Sequence, residues 1–238
     1  MKYFFFLLLS LLVVSPAIAI EQGSTDTLRI ETGEEFISVD KEVACSLSKE
    51  TPYKSPESSS VYYISSDCMK RPIKNASIYF SYFNNWSAVQ VTTAARLRAI
   101  ADHPLGFLPW GPQYAPIDGS LFKSVDDPRV YLVLKGKRYA IADAENFSRL
   151  GFEWNWIEDV DIRVLEKLAF AGTLGSGDSH PDGMILKYQD RPDLYVLENG
   201  RRRHIADMQT WNKLSFRKDR YVTLPVSFSY DIGAQLKL

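Results

Sequence analysis

The chain has 238 residues, 45% of them hydrophobic and 13% aromatic, with 28 basic side chains against 29 acidic ones. Charges this nearly balanced argue against a nucleic-acid binder that works by whole-molecule attraction. The length allows one or two domains with real cores beyond any export signal.

The chain opens on a targeting pattern. Lys2 gives a short positive region, Tyr3 to Val14 is apolar, and Ser15-Pro16 breaks the run before the small-x-small sequence Ala17-Ile18-Ala19. Residues 1–19 therefore read as a cleavable export signal. The apolar run is short of the roughly 20 residues that a membrane span needs; an uncleaved N-terminal anchor is the competing reading. The residue directly after the cleavage point is Ile20 rather than a cysteine, which disfavours a lipid anchor. No later stretch approaches spanning length, so no integral span is expected after cleavage. Residues 20–42 read as a mostly irregular leader in which Leu28 to Val39 offers one extra strand.

The rest of the chain repeats itself. Asp118-Gly119, Tyr131, Gly136, Ile141, Asp143 and Phe147 recur 64 positions later as Asp182-Gly183, Tyr195, Gly200, Ile205, Asp207 and Trp211. A looser copy lies 68 positions upstream, where Tyr63, Ile73, Asn75, Tyr79 and Trp86 match Tyr131, Ile141, Asp143, Phe147 and Trp154. A fixed period of this length means copies of one supersecondary unit.

Within a copy, Ser120 to Lys123 reads as a strand and Asp126-Asp127-Pro128 as a turn. Arg129 to Leu134 is a β-branched and aromatic run. Lys135-Gly136, or Asn199-Gly200 in the last copy, is a tight hairpin turn. Lys137 to Ile141 returns. Asn75, Asp143 and Asp207 are helix N-caps. The helices they start are about two turns long, marginal alone, and need Tyr79, Phe147 and Trp211 to pin them to the sheet. The fold class is α+β: three tandem repeats, each a three-stranded antiparallel β-meander plus a short helix. Repeat 1 spans 43–108, repeat 2 spans 118–174 and repeat 3 spans 182–238. A Pro-rich, stiff linker occupies 109–117, and a more flexible Gly/Ser linker occupies 175–181.

Cys45 and Cys68 are the two cysteines. Export makes a disulfide the expected state. Cys68 falls at the position of Gly136, and Cys45 near the start of the first strand, so antiparallel pairing brings them together.

Several side chains qualify as binding candidates. Lys70-Arg71, Lys137-Arg138 and Arg201-Arg202-Arg203 recur on the third strand of each copy. They read either as cationic tips that grip an anionic polymer or as charges that blunt strand edges. Trp86 and Trp154 match in register and read as core; Trp110 and Trp156 have no counterparts and read as surface aromatics that could stack on sugars. Asp178-Ser179-His180 lacks a credible metal-ligand set. No Gly-x-Ser-x-Gly, His-Glu-x-x-His or P-loop pattern occurs, and the acids fall mainly in turns and caps. Neither catalysis nor a cofactor is called for. Asn75, Asn85 and Asn146 begin glycosylation sequons, which matter only in a eukaryotic secretory route.

Val130-Tyr131-Leu132-Val133 with Gly136-Lys137-Arg138 and Ile141, followed by Leu150-Gly151-Phe152 and Trp154, resembles a tandem repeat of exported and surface bacterial proteins. Tyr195-Val196-Leu197, Asn199-Gly200 and Arg203-His204-Ile205 repeat the likeness. It covers 118–238 well and 43–108 weakly, and Lys218 stands where the third copy would have its Trp. The resemblance implies an extracellular module and assigns no site residues. The resulting expectation is a non-catalytic secreted or cell-envelope protein that binds an anionic or glycan surface polymer, or partners another envelope protein. A purely structural spacer is the alternative, and an envelope-polymer hydrolase ranks third.

Overall fold

The computed structural model describes residues 27–32, 35–40 and 44–238. The export signal expected over 1–19 lies outside the described residues, as does much of the leader. The chain divides after Ala44 into two units. In the first, β1 (Thr27–Thr32) and β2 (Glu35–Asp40) pair antiparallel, from Thr27↔Asp40 to Thr32↔Glu35. The leader thus contributes two strands rather than one.

Three β-sheets with short helices fill the second unit, on one repeated plan. The first repeat runs β3 (Thr51–Lys54), β4 (Tyr62–Ile64), β5 (Lys70–Pro72), α1 (Ala76–Phe80), β6 (Gln90–Val91) and α2 (Ala94–Ala99). The second runs β7 (Leu121–Ser124), β8 (Tyr131–Leu134), β9 (Lys137–Ile141), α3 (Ala144–Arg149), β10 (Ile157–Val160), α4 (Ile162–Glu166) and β11 (Ala169–Leu174). The third runs β12 (Ile185–Tyr188), β13 (Leu194–Glu198), β14 (Arg201–His204), α5 (Met208–Lys213), β15 (Val222–Leu224) and β16 (Asp231–Ile232). The expected N-caps are in place: Asn75, Asp143 and Asp207 accept from the amides of Ile78, Asn146 and Thr210.

The antiparallel meander is present but is not the whole sheet, and this corrects the expected fold. After each helix the chain returns as a strand parallel to the first meander strand: β6 on β3, β10 on β7, β15 on β12. It then adds a second parallel strand at the opposite edge, β11 on β9 and β16 on β14, reduced in repeat 1 to the bridge Lys70↔Asp102. The sheets are therefore mixed. Parallel pairing demands a crossover, so the segment read as an irregular return is what closes both edges.

In repeat 2 the crossovers bury both faces of the sheet. Successive side chains of a strand point to opposite faces. Leu132 and Leu134 of β8 join Phe147 and Leu150 in a core shared with Ile185, Leu197 and Trp211 of repeat 3. Tyr131 and Val133 join Phe122, Val160, Val164 and Leu165 on the other face, with α4. Two-sided burial explains the unbroken apolar run. Repeat 3 has no counterpart of α4, and β13 buries Tyr195 and Leu197 while Val196 stays half-buried.

Hairpin tips need left-handed backbone. Lys135-Gly136 and Asn199-Gly200 take positive φ at both residues, the mirror-type turn that fits strand twist. The recurring Asp explains itself here. Asp182 accepts from the amides of Asn199 (2.8 Å) and Gly200 (3.2 Å), and Asp118 from that of Gly136 (3.4 Å). In repeat 1 the clamp is replaced by the disulfide Cys45–Cys68, with Cys68 at φ 63°. The tip is also one residue longer. Tyr62 pairs with Pro72 as Tyr131 pairs with Ala140, so Tyr62 rather than Tyr63 is the true counterpart of Tyr131.

Both linkers are stitched down. Trp110 extends the edge of β10, donating to Asp159 O (2.9 Å) and accepting from Asp161 N (2.8 Å), while Gly111 N donates to Ser81 Oγ (2.6 Å) at the end of α1. The Gly/Ser linker, expected to be flexible, is held by Arg149, which donates to Gly175 O and Asp178 O at 2.8 Å each.

Two substitutions test this scheme. Gly119 has φ +82° and its absent Cβ would fall on the Phe216 ring, whereas Gly183 has φ +102° and a Cβ there would meet Lys135 and Leu134 only at ordinary van der Waals distance, 3.5 Å or more. Gly183→Ala is expected to cost about 1–2 kcal/mol from backbone strain alone, and Gly119→Ala clearly more, read by urea unfolding. Replacing Cys45 and Cys68 together by Ala should cost about 2–4 kcal/mol in the same measurement.

Candidate functional site

Three features of the second unit have the character of a site: exposed tryptophans, basic third strands and a cleft between repeats 1 and 2. The tryptophans are distributed against expectation. Trp86 and Trp154, the register-matched pair, are 50% and 56% exposed. Trp110 and Trp156 are half-buried; Trp110 stacks on Tyr114 against the second face of sheet 2, and Trp156 packs on the core shared by repeats 2 and 3.

Each exposed Trp lies on the aromatic that pins the helix. Trp86 stacks on fully buried Tyr79 with centroids 4.1 Å apart, and Trp154 stacks on Phe147, also at 4.1 Å. In repeat 3 the partner position is Lys218, whose ammonium sits 5.8 Å above the Trp211 ring. The same helix aromatic is thus capped by an indole twice and by a cation once. One face of Trp86 and of Trp154 is committed to this stack, Trp86 also meets Phe80 edge-on (5.0 Å), and about half of each side chain stays exposed.

The basic residues are not a row of free cations. Lys70 bonds Ile100 O (2.5 Å) and pairs with Asp102 (3.1 Å). Arg138 donates to Leu165 O and lies over Tyr131. Arg203 donates to Ala234 O (2.9 Å) and pairs with Glu198, while Arg202 lies 4.8 Å from the Tyr188 ring centroid. In each repeat a third-strand Arg or Lys satisfies carbonyls of the segment that closes the sheet. Lys137 and Arg201 project freely.

The cleft has a volume of about 360 Å³. Repeat 1 supplies Tyr63, Arg71, Tyr82, Glu50, Asp67 and His103; repeat 2 supplies Asp126, Asp161 and Arg163. Tyr63 and Arg71 sit opposite each other on β4 and β5 and so face the same way. Arg71 is only 6% exposed. Its Nε and Nη2 donate to the carbonyls of Gly106 (3.2 Å), Leu105 (3.4 Å) and Phe107 (2.5 Å). Burial lowers its pKa, and Tyr82, Asp126, Asp159 and Asp67 work in the other direction.

The rings of Tyr63 and Tyr82 lie 5.6 Å apart. Burial, and then Glu50, push the Tyr63 phenol up to about 12, and burial with Asp161 raises Tyr82 further. Both hydroxyls therefore keep their protons at neutral pH. At Asp161 burial opposes ionisation, but hydrogen bonds from Arg163 outweigh it and hold the carboxyl below its usual range. An aromatic chain runs out from the cleft through Phe83 and Tyr79 to Trp86.

This is not a nucleophile-and-base arrangement. His103 accepts from Leu105 N at Nδ1 (3.1 Å) and turns Nε2 toward Asp67 (3.6 Å), leaving no ring nitrogen for a serine. Ser65 is buried and bonds Asp67 and Met69 O. No group of three metal-ligating side chains occurs among the described residues. His180 is a packed histidine: Nε2 faces Leu150 O (3.0 Å) and Nδ1 the Tyr230 hydroxyl (2.7 Å). Gln113 plays the same part in the first linker, donating to Tyr82 O (3.3 Å).

Sequence reasoning passed over Tyr82, Arg163 and the placement of Arg71. A signal was present: Tyr82 stands where repeat 2 has Leu150, so a phenol replaces a core residue.

Comparisons with known proteins add little. No family model matches the sequence, and no curated protein matches it. Among solved structures, one match is a chain of the periplasmic assembly from the ESX-5 inner membrane complex, 10% identical with a TM-score of 0.21. The match covers 76% of this chain and 58% of that one, so the chain spans little more than half its length. A likeness at that level transfers neither fold nor function.

His180 yields a test of the second linker. Burial lowers its pKa from the ordinary 6.5, and the Leu150 hydrogen bond only partly offsets this. The folded state thus favours the neutral ring, and the unfolded chain binds more protons between the two values. Stability should be full above about pH 6.5 and fall as pH drops below it. In urea unfolding between pH 7.5 and about 5, His180→Gln should show a shallower loss than the parent; parallel profiles would refute the assignment.

Proposed function

We propose that the protein is a non-catalytic, exported module that binds a saccharide polymer of the cell envelope or surface. The observation that carries this reading is the pair of equivalent tryptophans, Trp86 and Trp154, each about half exposed and each backed by a buried aromatic. Flat indole faces held rigid from behind are suited to stacking on sugar rings, at low entropic cost. Two weak sites on one framework gain useful affinity through avidity.

Other features support the location. A disulfide belongs to oxidising compartments, and the N-terminal sequence has the pattern of an export signal. Among the described residues no helix is long and apolar enough to cross a membrane. The resemblance to surface repeats of bacteria points the same way. The ligand favoured here is a glycan rather than an anionic polymer, because most of the basic tips are engaged internally. A spacer role is the competing account, favoured by the core that repeats 2 and 3 share.

Retention of the purified protein on insoluble cell-wall and polysaccharide fractions tests this. Trp86→Ala and Trp154→Ala should each weaken retention about 3- to 10-fold, given roughly 0.5–1.5 kcal/mol per aromatic contact. Lys137→Ser with Arg201→Ser should change it little, as should added salt. No retention on any fraction would favour the spacer.

A further inference from the structure

We propose that the cleft between repeats 1 and 2 is a binding site for a single uncharged sugar residue, distinct from the tryptophan faces. The inference rests on the saccharide reading above and adds a second, enclosed subsite with its own chemistry.

The comparison of the two junctions in the chain is what singles the cleft out. Glu50 N bonds Ile64 O as Gly119 N bonds Val133 O, which makes Ile64 the counterpart of Val133 and Tyr63 that of Leu132. Arg71, opposite Tyr63, then corresponds to Tyr139, opposite Leu132. Tyr82 corresponds to Leu150. Leu132 and Leu150 are buried in the apolar core that joins repeat 2 to repeat 3, and Tyr139 packs against it. At the junction of repeats 1 and 2 the same three positions carry two phenols and a guanidinium, and the space is open. Packing the junction closed needs only the residues already used in repeat 2, so the polar set is a departure from the repeat's own solution.

The groups that remain are arranged for a ligand. Arg71 is fixed by three carbonyls through Nε and Nη2, which leaves Nη1 without a protein partner among the described residues. A guanidinium pinned in this way is a donor with little entropy left to lose. Among the described residues the hydroxyls of Tyr63 and Tyr82 likewise have no protein hydrogen-bond partner, and they can donate or accept. Asp67, Asp126 and Glu50 add acceptors at the rim, and the phenol rings form an apolar wall. The volume, about 360 Å³, falls in the range of small-molecule sites.

Charge narrows the class. A carboxylated sugar would reach Arg71 only past Glu50, Asp67 and Asp126, Asp161 being paired with Arg163 at 2.8 Å, and a free cation would meet both Arg71 and Arg163. An uncharged ring with an apolar face, and with hydroxyls that both donate and accept, satisfies every group present. That is the chemistry of a neutral pyranose.

Glucose, N-acetylglucosamine and glucuronic acid, titrated against the disulfide-intact protein by ligand-observed and protein-observed NMR, test the proposal. At least one neutral sugar should bind with shifts at Tyr63 and Tyr82, and glucuronic acid at least about tenfold more weakly. The double variant Tyr63→Phe/Tyr82→Phe keeps both rings and should weaken binding about tenfold or more, from two lost hydrogen bonds. Trp86→Ala with Trp154→Ala should reduce polymer retention, and Lys137→Ser with Arg201→Ser, outside both sites, should leave this small-sugar affinity unchanged. No neutral sugar binding at millimolar concentration, equal binding of glucuronic acid, or an unaffected Phe double variant would each overturn the cleft assignment. Polymer retention that is absent while the cleft still binds sugar would overturn the module's function and leave the cleft standing.

Discussion

The constraint on which this architecture depends is the closure of each three-stranded meander by parallel strands at both edges. A parallel neighbour cannot be reached by a hairpin. The chain must cross the sheet to add the fourth strand, and cross again to add the fifth. In repeat 2 those two passages lie on opposite faces, carrying Phe147 and Leu150 on one and Val164 and Leu165 on the other. Two-sided burial of β8 follows, as does the need for third-strand arginines to satisfy carbonyls of the closing segment. The edges of the meander in repeats 2 and 3 are covered by the repeat's own chain, and the short strands β10, β11, β15 and β16 become the edges of the enlarged sheets.

The linkers then have little freedom. Because β10 is an edge, Trp110 can extend it, and the segment between repeats 1 and 2 becomes part of sheet 2. Glu158 on the same strand accepts from Arg217 (2.9 Å) and Arg220 (3.1 Å) of repeat 3 and from the Tyr114 hydroxyl (2.7 Å) of the linker. One carboxylate therefore ties linker, repeat 2 and repeat 3 together. Truncating it would leave two guanidiniums that are 20% exposed or less with Asp219 as their one remaining carboxylate, and this is why such a pair is costly to break even where its net contribution is small.

Much of the local structure was legible in the sequence. The three helix caps and the Lys135-Gly136 and Asn199-Gly200 turns are local chemistry, set by residues a few positions apart; the Cys45–Cys68 pairing forms as expected, although Cys45 lies before β3 (Thr51–Lys54) rather than at its start. What escaped depends on distant partners. β6, β10 and β15 are short and carry no strong alternation, so only their docking beside the first strand makes them strands. Trp86 and Trp154 read as core because matched aromatics usually pack. Their shared role is to cap an inner ring while staying about half exposed, and Lys218 over Trp211 serves the same position with a different residue type. Asp118 and Asp182, legible only as the residues that open two of the copies, clamp a hairpin tip 17 to 18 positions downstream.

Repeat 1 departs from the pattern in a consistent direction. It gives up the Asp clamp for a disulfide, and it lets Glu50 take φ 55° where repeats 2 and 3 have Gly119 and Gly183. Non-glycine residues at positive φ carry strain of order 1 kcal/mol or more, so at this position repeat 1 tolerates a cost that repeats 2 and 3 avoid with glycine. The residues around these points, Glu50 and Ser65 to Asp67, are the ones that line the cleft. Arg71 adds the desolvation of a guanidinium, which three carbonyls offset. A repeat under selection only to stack on its neighbour would relax each of these features toward the glycine, aspartate and leucine of its siblings. Their coincidence around one polar opening fits a repeat whose stability has been partly exchanged for a surface that repeats 2 and 3 do not possess.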